Sequence, residues 1–461
     1  MKRLFFIITA ALLIASCNQP LKKPETKMNE DKKALETFAP EWTNNKNIYE
    51  VNIRNFTPEG TLNAFANHLP RLQAMGVDII WLMPVNPIGE MNRKGSLGSY
   101  YSIKDYTQIN PDFGTLEDFR NLVKQAHSLG MYVIIDWVAN HAAWDNTWTK
   151  NHPEYFIHDE NGNFTPPVPD WSDVIDLNYD NPQMRQAMID AMKFWVSETD
   201  IDGFRCDVAM MVPVDFWEDA RSQLDSIKSV FMLAEAEEPA HHFASFDASY
   251  SWELMHTFND IAKGSKNSES IDSLLRDEKV KFPAKAFRLR FITNHDENSW
   301  NGTEFQRLGD GVDAFTVLCY TLPGMPLVYS GQESAFNRAL RFFDKDQIDW
   351  GNYSKQKFFR ALNHLKHEHE CLWNGSYGGD MITVFNHQNN HNIYAFLRCK
   401  KESIIGVIVN LSNQPEKVTL VIPDTYTGKY KDYFRGPEFE IGKEVDIAMQ
   451  AWEYRVFEKV N

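Results

Sequence analysis

From about residue 48 the chain alternates short apolar runs with longer segments whose apolar residues recur at helical spacing. Ile48-Tyr49-Glu50-Val51 reads as a strand, and Leu62, Phe65, Leu69 and Leu72 behind it form a helical stripe closed by Gly76. Pro70 falls inside that stripe and predicts a kink or a shortened helix. Val77 to Met83 is a continuous β-rich run of the kind a strand buried on both faces needs. Thr115-Leu116-Glu117-Asp118 resembles a capping box with Asp as its last member. Leu116, Phe119, Leu122, Val123, Ala126 and Leu129 form the stripe that follows, Gly130 stops it, and Met131 to Ile135 reads as the next strand. Asn181-Pro182 opens a helix with Met184, Met188, Ala191 and Trp195 on one face. Further strands are predicted at residues 203–206, 230–234, about 250–254, 287–293 and 326–329. About eight strand–helix units is the number that a closed (β/α)8 barrel requires.

Two departures complete the organisation. Between Asn140 and Asp180 the repeat breaks for longer than an ordinary βα loop, with Trp144, Trp148, Trp171 and several prolines. This predicts an excursion over about 141–180 that covers the face where strands end. After about residue 378 the pattern turns to short period-two and apolar runs at 382–385, 393–397, 404–409, 418–422 and 452–457, separated by polar turns. The expected fold class is therefore α/β: a TIM barrel over 41–377 with an inserted loop domain after strand 3, then a C-terminal antiparallel β-sandwich over 378–461.

Composition narrows the partner. The 461 residues carry 47 basic and 63 acidic side chains, a formal charge of −16, with no clustered Lys and Arg. Nucleic acid is disfavoured as a partner, because counterion release needs such clusters. At the N-terminus Lys2 and Arg3 precede an apolar run from Leu4 to Ile14, too short to span a bilayer as a mature helix. The run ends in Ile14-Ala15-Ser16-Cys17, which looks like a bacterial lipoprotein cleavage box. Residues 1–17 are thus expected to be a lipoprotein signal peptide, with 18–40 as a flexible tether. The product would be exported and held on a bacterial membrane, outer membrane or cell surface, only through lipid on Cys17. An ordinary signal peptide is the plainer alternative. The spacing of Cys206, Cys319, Cys371 and Cys399 matches neither a metal site nor a disulfide framework, so free thiols are expected.

Candidate chemistry lies where predicted strands end. Asp202-Gly203-Phe204-Arg205-Cys206-Asp207, Ala234-Glu235-Ala236 and Thr293-Asn294-His295-Asp296 each bring a carboxylate to that face, on which barrels build active sites. A single Asp there is more often a cap or an ion-pair partner. Two carboxylates flanking a sugar suffice to cleave a glycosidic bond, and a third can stabilise the cationic transition state. Arg205, two residues before Asp207 on the same strand face, is expected to hold the Asp207 pKa down.

The motifs, in order, resemble those of the α-amylase family of retaining glycoside hydrolases, over residues from about 48 to 461. Asp136-Trp137-Val138-Ala139-Asn140-His141, Gly203 to Asp207, Leu233-Ala234-Glu235 and Phe291 to Asp296 resemble the four strand-end motifs. Asp176-Leu177-Asn178 and the segment Pro323 to Glu333 match two more. The resemblance implies Asp207 as nucleophile, Glu235 as general acid/base and Asp296 as third carboxylate. It implies that His141 and His295 hydrogen-bond the sugar at the cleavage subsite, that Arg205 belongs to the site, and that Tyr101 stacks beneath that sugar, with Tyr100 as the alternative. Asp136 is left either as a structural partner or as a substrate contact. No cofactor is implied for the chemistry. Asn140 and Asp176 remain as ligands of a structural calcium, but Met210-Met211 stands where many members carry a Lys-His pair that serves both substrate and calcium. Asp159 to Asn163 resembles a calcium loop, yet Phe164 sits where Gly is needed, so a turn is expected. His364, His367 and His369 are expected on a solvated helix face rather than around a metal. The implied substrate is an α-linked glucan, with cleavage of α-1,4 bonds. The rivals are a transglycosylase or isomerase of the family and a non-catalytic glycan-binding lipoprotein.

Overall fold

Eight parallel strands close into one barrel in the computed structural model, which describes residues 39–460. The signal segment, Cys17 and the tether up to residue 38 lie outside the described residues. The strands are β1 (Ile48–Val51), β2 (Ile79–Leu82), β3 (Tyr132–Trp137), β4 (Gly203–Cys206), β5 (Phe231–Ala234), β6 (Ala248–Tyr250), β7 (Phe287–Arg290) and β8 (Met325–Tyr329). Each pairs with its sequence neighbour, and Ile48↔Leu327 closes the ring.

Alternation along these strands decides what fills the barrel. Ile48, Ile79, Trp81, Ile134, Phe231 and Leu233 belong to the inner cluster, while Tyr49, Ile80, Val133, Phe204 and Met232 pack outward under the helices. Both sets are apolar, as strands buried on both faces must be. Continuing the inward set upward by steps of two reaches Glu50, Asp136, Arg205 and Asp207, and Glu235. The same period that builds the core thus delivers a polar layer to its upper end.

Local signals act as the sequence suggests. Pro70 divides the first stripe into helices Leu62–Ala66 and Leu69–Met75, the second closed by Gly76 at φ +84°. Asp118 accepts from the Thr115 amide at 2.8 Å while Thr115 Oγ1 accepts from the Asp118 amide at 3.1 Å, completing the capping box of Leu116–Ser128. The sixth strand falls earlier than expected. Ala248-Ser249-Tyr250 has little β signal of its own, whereas the Trp252 to Leu254 run starts helix Trp252–Ala262.

The excursion after β3 is tied down by a short antiparallel pair, His141–Ala143 with Val174–Asp176, in register His141↔Asp176. Asp159 Oδ1 accepts from the amides of Asn161 (2.9 Å) and Asn163 (2.8 Å), which makes that segment a turn. Beyond Asp380 a six-stranded and a three-stranded antiparallel sheet share a core that includes Ile393, Leu397, Ile408, Val418, Leu420 and Phe457. Strands Gly428–Asp432, Glu438–Ile441 and Glu444–Met449 belong to these sheets and were not expected, because their outward positions are heavily charged. The three histidines of helix Gln356–Glu368 and its end diverge. His367 meets Asp78 at 2.7 Å, His369 meets Glu458 at 3.3 Å and His364 lies 3.8 Å from Glu368. Two of them therefore tie the helix to other elements instead of facing solvent. The four cysteines among the described residues are free.

Candidate active site

Arg205 is the centre of the polar layer and is fully buried. Its Nη1 lies 2.9 Å from Asp136 Oδ1 and 3.0 Å from Asp207 Oδ1, its Nη2 lies 3.0 Å from Glu235 Oε2, and its Nε donates to the Tyr250 hydroxyl at 3.2 Å. Trp81 stacks its ring 5.1 Å from the guanidinium. Three carboxylates from β3, β4 and β5 thus converge on one cation. A planar fork of fixed geometry is suited to hold several carboxylates at set angles.

Asp207 departs from the sequence expectation. Burial, followed by the charge of Glu235, pushes its pKa well above the usual carboxylate range, and Arg205 does not offset them. Burial likewise raises Asp136 to about 6 against the pull of Arg205. The Asp207 amide donates to Trp137 O at 3.0 Å and the Glu235 amide to Cys206 O at 3.0 Å, so both residues continue the ladder just past their strands.

Val208, immediately after Asp207, has φ +35° and ψ +45°, a left-handed conformation that a β-branched residue seldom adopts. In that conformation its amide donates to Glu235 Oε2 at 2.7 Å. Glu235 is thereby fixed from two sides, by a backbone amide and by Arg205.

The two histidines lie at the site in different charge states. His141 Nε2 is 4.0 Å from Asp207 Oδ2, and burial lowers its pKa to about 3, which keeps the ring neutral. Burial would also lower His295, but Asp296 and Glu50 outweigh it and raise the pKa to about 9. His295 Nε2 lies 2.7 Å from the Tyr101 oxygen and 3.2 Å from Asp296 Oδ2. Tyr101 in turn donates to Asp136 Oδ2 at 3.1 Å, and Trp81 Nε1 donates to the same atom at 3.2 Å. Asp136 thus accepts three hydrogen bonds from Arg205, Tyr101 and Trp81 and serves as a structural partner of the site. Tyr100 packs instead under Arg54, 4.0 Å from its guanidinium, so Tyr101 is the tyrosine facing the site. Asp296 is the most open of the acids, with a third of its side chain (33%) exposed at the mouth.

Glu50, Trp81 and Tyr250 were not read from sequence as site residues. The available signal was parity, since each occupies an inward position at the upper end of its strand. Of the excursion's tryptophans, Trp144 donates to Ser172 O at 3.0 Å and Trp148 packs on Tyr106 at 4.8 Å, whereas Trp171 stands edge-on to His141 at 5.3 Å.

Asn140 and Asp176 sit beside this wall without assembling a metal centre. The Asn140 amide nitrogen is 3.2 Å from His141 Nδ1, and the half-buried Asp176 carboxyl is raised by burial to about 6. Met210 and Met211 are 48% and 42% exposed and bring no side-chain oxygen. Calcium takes about six to eight oxygen ligands. Among the described residues no group of three or more His, Cys, Asp or Glu is gathered to hold a metal.

The chain is similar to known proteins over most of its length. The family described as "Alpha amylase, catalytic domain" matches residues 37–171 and 168–370. Among solved structures, the maltogenic α-amylase AmyB of Thermotoga neapolitana is 33% identical, covering 90% of this chain and 99% of that one at a TM-score of 0.82. An α-amylase of Lactobacillus plantarum is 30% identical, covering 91% and 100% at a TM-score of 0.81. Among curated relatives, α-amylase MalA of Haloarcula japonica is 26% identical over 415 residues, which cover 85% of this chain and 60% of that longer protein.

Proposed function

We propose a function from one premise: this chain belongs to the α-amylase family. It is a retaining glycoside hydrolase that cleaves α-glucosidic bonds, α-1,4 above all, in starch fragments or maltodextrins. The observation that carries the reading is the sharing of Arg205 between Asp207 and Glu235, each 3.0 Å from it. Two carboxyls on one guanidinium are close enough to address the same sugar ring, as a double displacement requires.

The steps follow from the geometry. Glu235, steadied by the Val208 amide, gives its proton to the departing glycosidic oxygen while an Asp207 oxygen bonds to the anomeric carbon. Burial raises Asp136 and Asp207 above the ordinary carboxylate range, and the Arg205 guanidinium 3.0 Å from Asp207 favours the ionised form that the attack needs. Glu235, now a carboxylate, takes a proton from water, whose oxygen attacks the anomeric carbon and releases Asp207. Asp296 and the neutral His141 flank the sugar, and the His295 cation donates to it or to Tyr101, whose ring lies beneath. Asp296 adds negative charge where the ring becomes oxocarbenium-like.

The test is a product profile on amylose, pullulan and maltohexaose, run beside Glu235→Gln. Hydrolysis is expected to fall by several orders of magnitude in the variant while oligosaccharide still binds. Turnover like that of the wild type would remove Glu235 from its role. Products longer than a maltotriose substrate would favour transglycosylation, and binding without release of reducing ends would favour a glycan-binding protein. The lipid anchor rests on Lys2, Arg3, the apolar run and Cys17. It is checked by detergent phase partitioning, where Cys17→Ser should move the protein from the detergent to the aqueous phase.

A further inference from the structure

We infer that Trp300 and Phe342 form a sugar-binding platform that holds the α-glucan chain on the non-reducing side of the bond to be cleaved. The inference rests on the proposed hydrolase reading for its ligand, and on independent geometry for its place. Tyr101 lies nearly parallel to Phe342, with centroids 6.2 Å apart and planes at 15°. Phe342 then meets Trp300 at 5.2 Å. The aromatic floor of the candidate site therefore runs without interruption to the surface, where Trp300 is 57% exposed. A single exposed hydrophobe needs no explanation, but one continuous with an active-site ring does. Flat aromatic surfaces match the apolar faces of pyranoses at low conformational cost.

The wall is built rigidly from three loops. Trp300 sits in a π-helical turn, Glu297–Asn301, directly after Asp296, a helical form often found at functional sites. Asn298 in that turn is buried, accepting from the Leu340 amide at 2.8 Å and donating to Arg338 O at 3.2 Å, which fixes it to the loop after β8. The Leu97 amide donates to Phe343 O at 3.0 Å and joins the loop after β2. A platform fixed before binding loses little entropy when a chain settles on it.

Its side of the site follows from strand order. Trp300, Phe342 and Tyr101 follow β7, β8 and β2, a continuous sector of the rim through β1, while Glu235 ends β5 opposite. The proton donor must stand by the leaving group, so the aromatic sector receives the other part of the chain.

Two measurements test this. On para-nitrophenyl α-glucoside, α-maltoside and α-maltotrioside, which lengthen only the glycone, kcat/KM of the wild type should rise with length. In Trp300→Ala that gain should shrink about tenfold, and Trp300→Phe should restore most of it. Calorimetric titration of Glu235→Gln with maltoheptaose gives a readout free of chemistry. Adding Trp300→Ala should weaken Kd about tenfold, without a change in unfolding midpoint. Equal affinity with and without Trp300 overturns the platform, whatever the wild type hydrolyses. Absent hydrolysis in the wild type sinks the hydrolase reading, while a tenfold loss of affinity still upholds the platform.

Discussion

His295 and Glu50 share a buried hydrogen bond, Nδ1 to Oε1 at 2.5 Å, that reaches from the end of β7 to the interior of β1. With both ring nitrogens protonated, His295 donates to Glu50 at one and can donate to Tyr101 at the other. Tyr101 then keeps its own hydrogen for Asp136. With Asp296, this buried acid favours the charged form of a histidine at the site, and its hydrogen bond sets the direction of the bonds behind it.

That relationship predicts a pH dependence. A histidine raised from 6.5 to about 9 contributes stability that is fully present below pH 6.5 and lost as pH rises through about 9. The contribution is on the order of 3 kcal/mol. Urea unfolding of the wild type at both ends of that window should show the loss, and Glu50→Gln should lessen it while Asp296 keeps its share. The alkaline limb of kcat/KM should also move to lower pH in the variant. An unchanged slope and limb would detach Glu50 from the charge of His295.

Asp207 predicts a conflict between stability and activity. A carboxyl raised by burial favours folding while protonated, and that contribution is lost as pH rises from 3.8 through its folded value. At pH 7 its ionisation is a cost that Asp207→Asn removes, while Arg205 keeps Asp136 and Glu235 as partners. Unfolding free energy should rise by about 1–2 kcal/mol while turnover falls by several orders of magnitude. Urea titration beside a reducing-sugar assay checks both. A loss of stability would mean that the ion pair with Arg205 outweighs the burial.

Gly203 opens β4 at φ +155°, and a Cβ there would stand 1.9 Å from Phe231 O on β5. Gly203→Ala should cost more than about 4 kcal/mol and remove soluble protein, since neither backbone can yield without parting two staves. Gly264, at φ +76° with no heavy atom within 4 Å, is the control. Gly264→Ala should cost about 1 kcal/mol, from backbone strain alone. Equal midpoints for the two variants would refute the steric argument.

Much of the architecture could be read along the chain because its signals are local. The Thr115 cap, Pro70 and Gly130 act within a turn of themselves, and β1, β4 and β8 stand out as apolar runs. Where local signal was weak the reading slipped. Ala248-Ser249-Tyr250 gains its strand identity from pairing with β5 and β7, and Gly428–Asp432 from pairing inside a sheet. Parity also held more than was taken from it. Glu50 shares the inward phase of Ile48, yet an acid inside an apolar run has no assigned partner until His295 arrives from the other end of the chain.

Residue order by itself determined the alternating periods, hence the barrel, and the acids and histidines that leave its strands, because periodicity and strand ends depend on near neighbours. Only the folded arrangement decided that Asp207 is raised instead of lowered, that His141 is neutral while His295 is charged, and that Tyr101, Phe342 and Trp300 line up. The energy of a charge is a sum over burial and over every partner within a few ångströms, and those partners come from strands far apart in sequence.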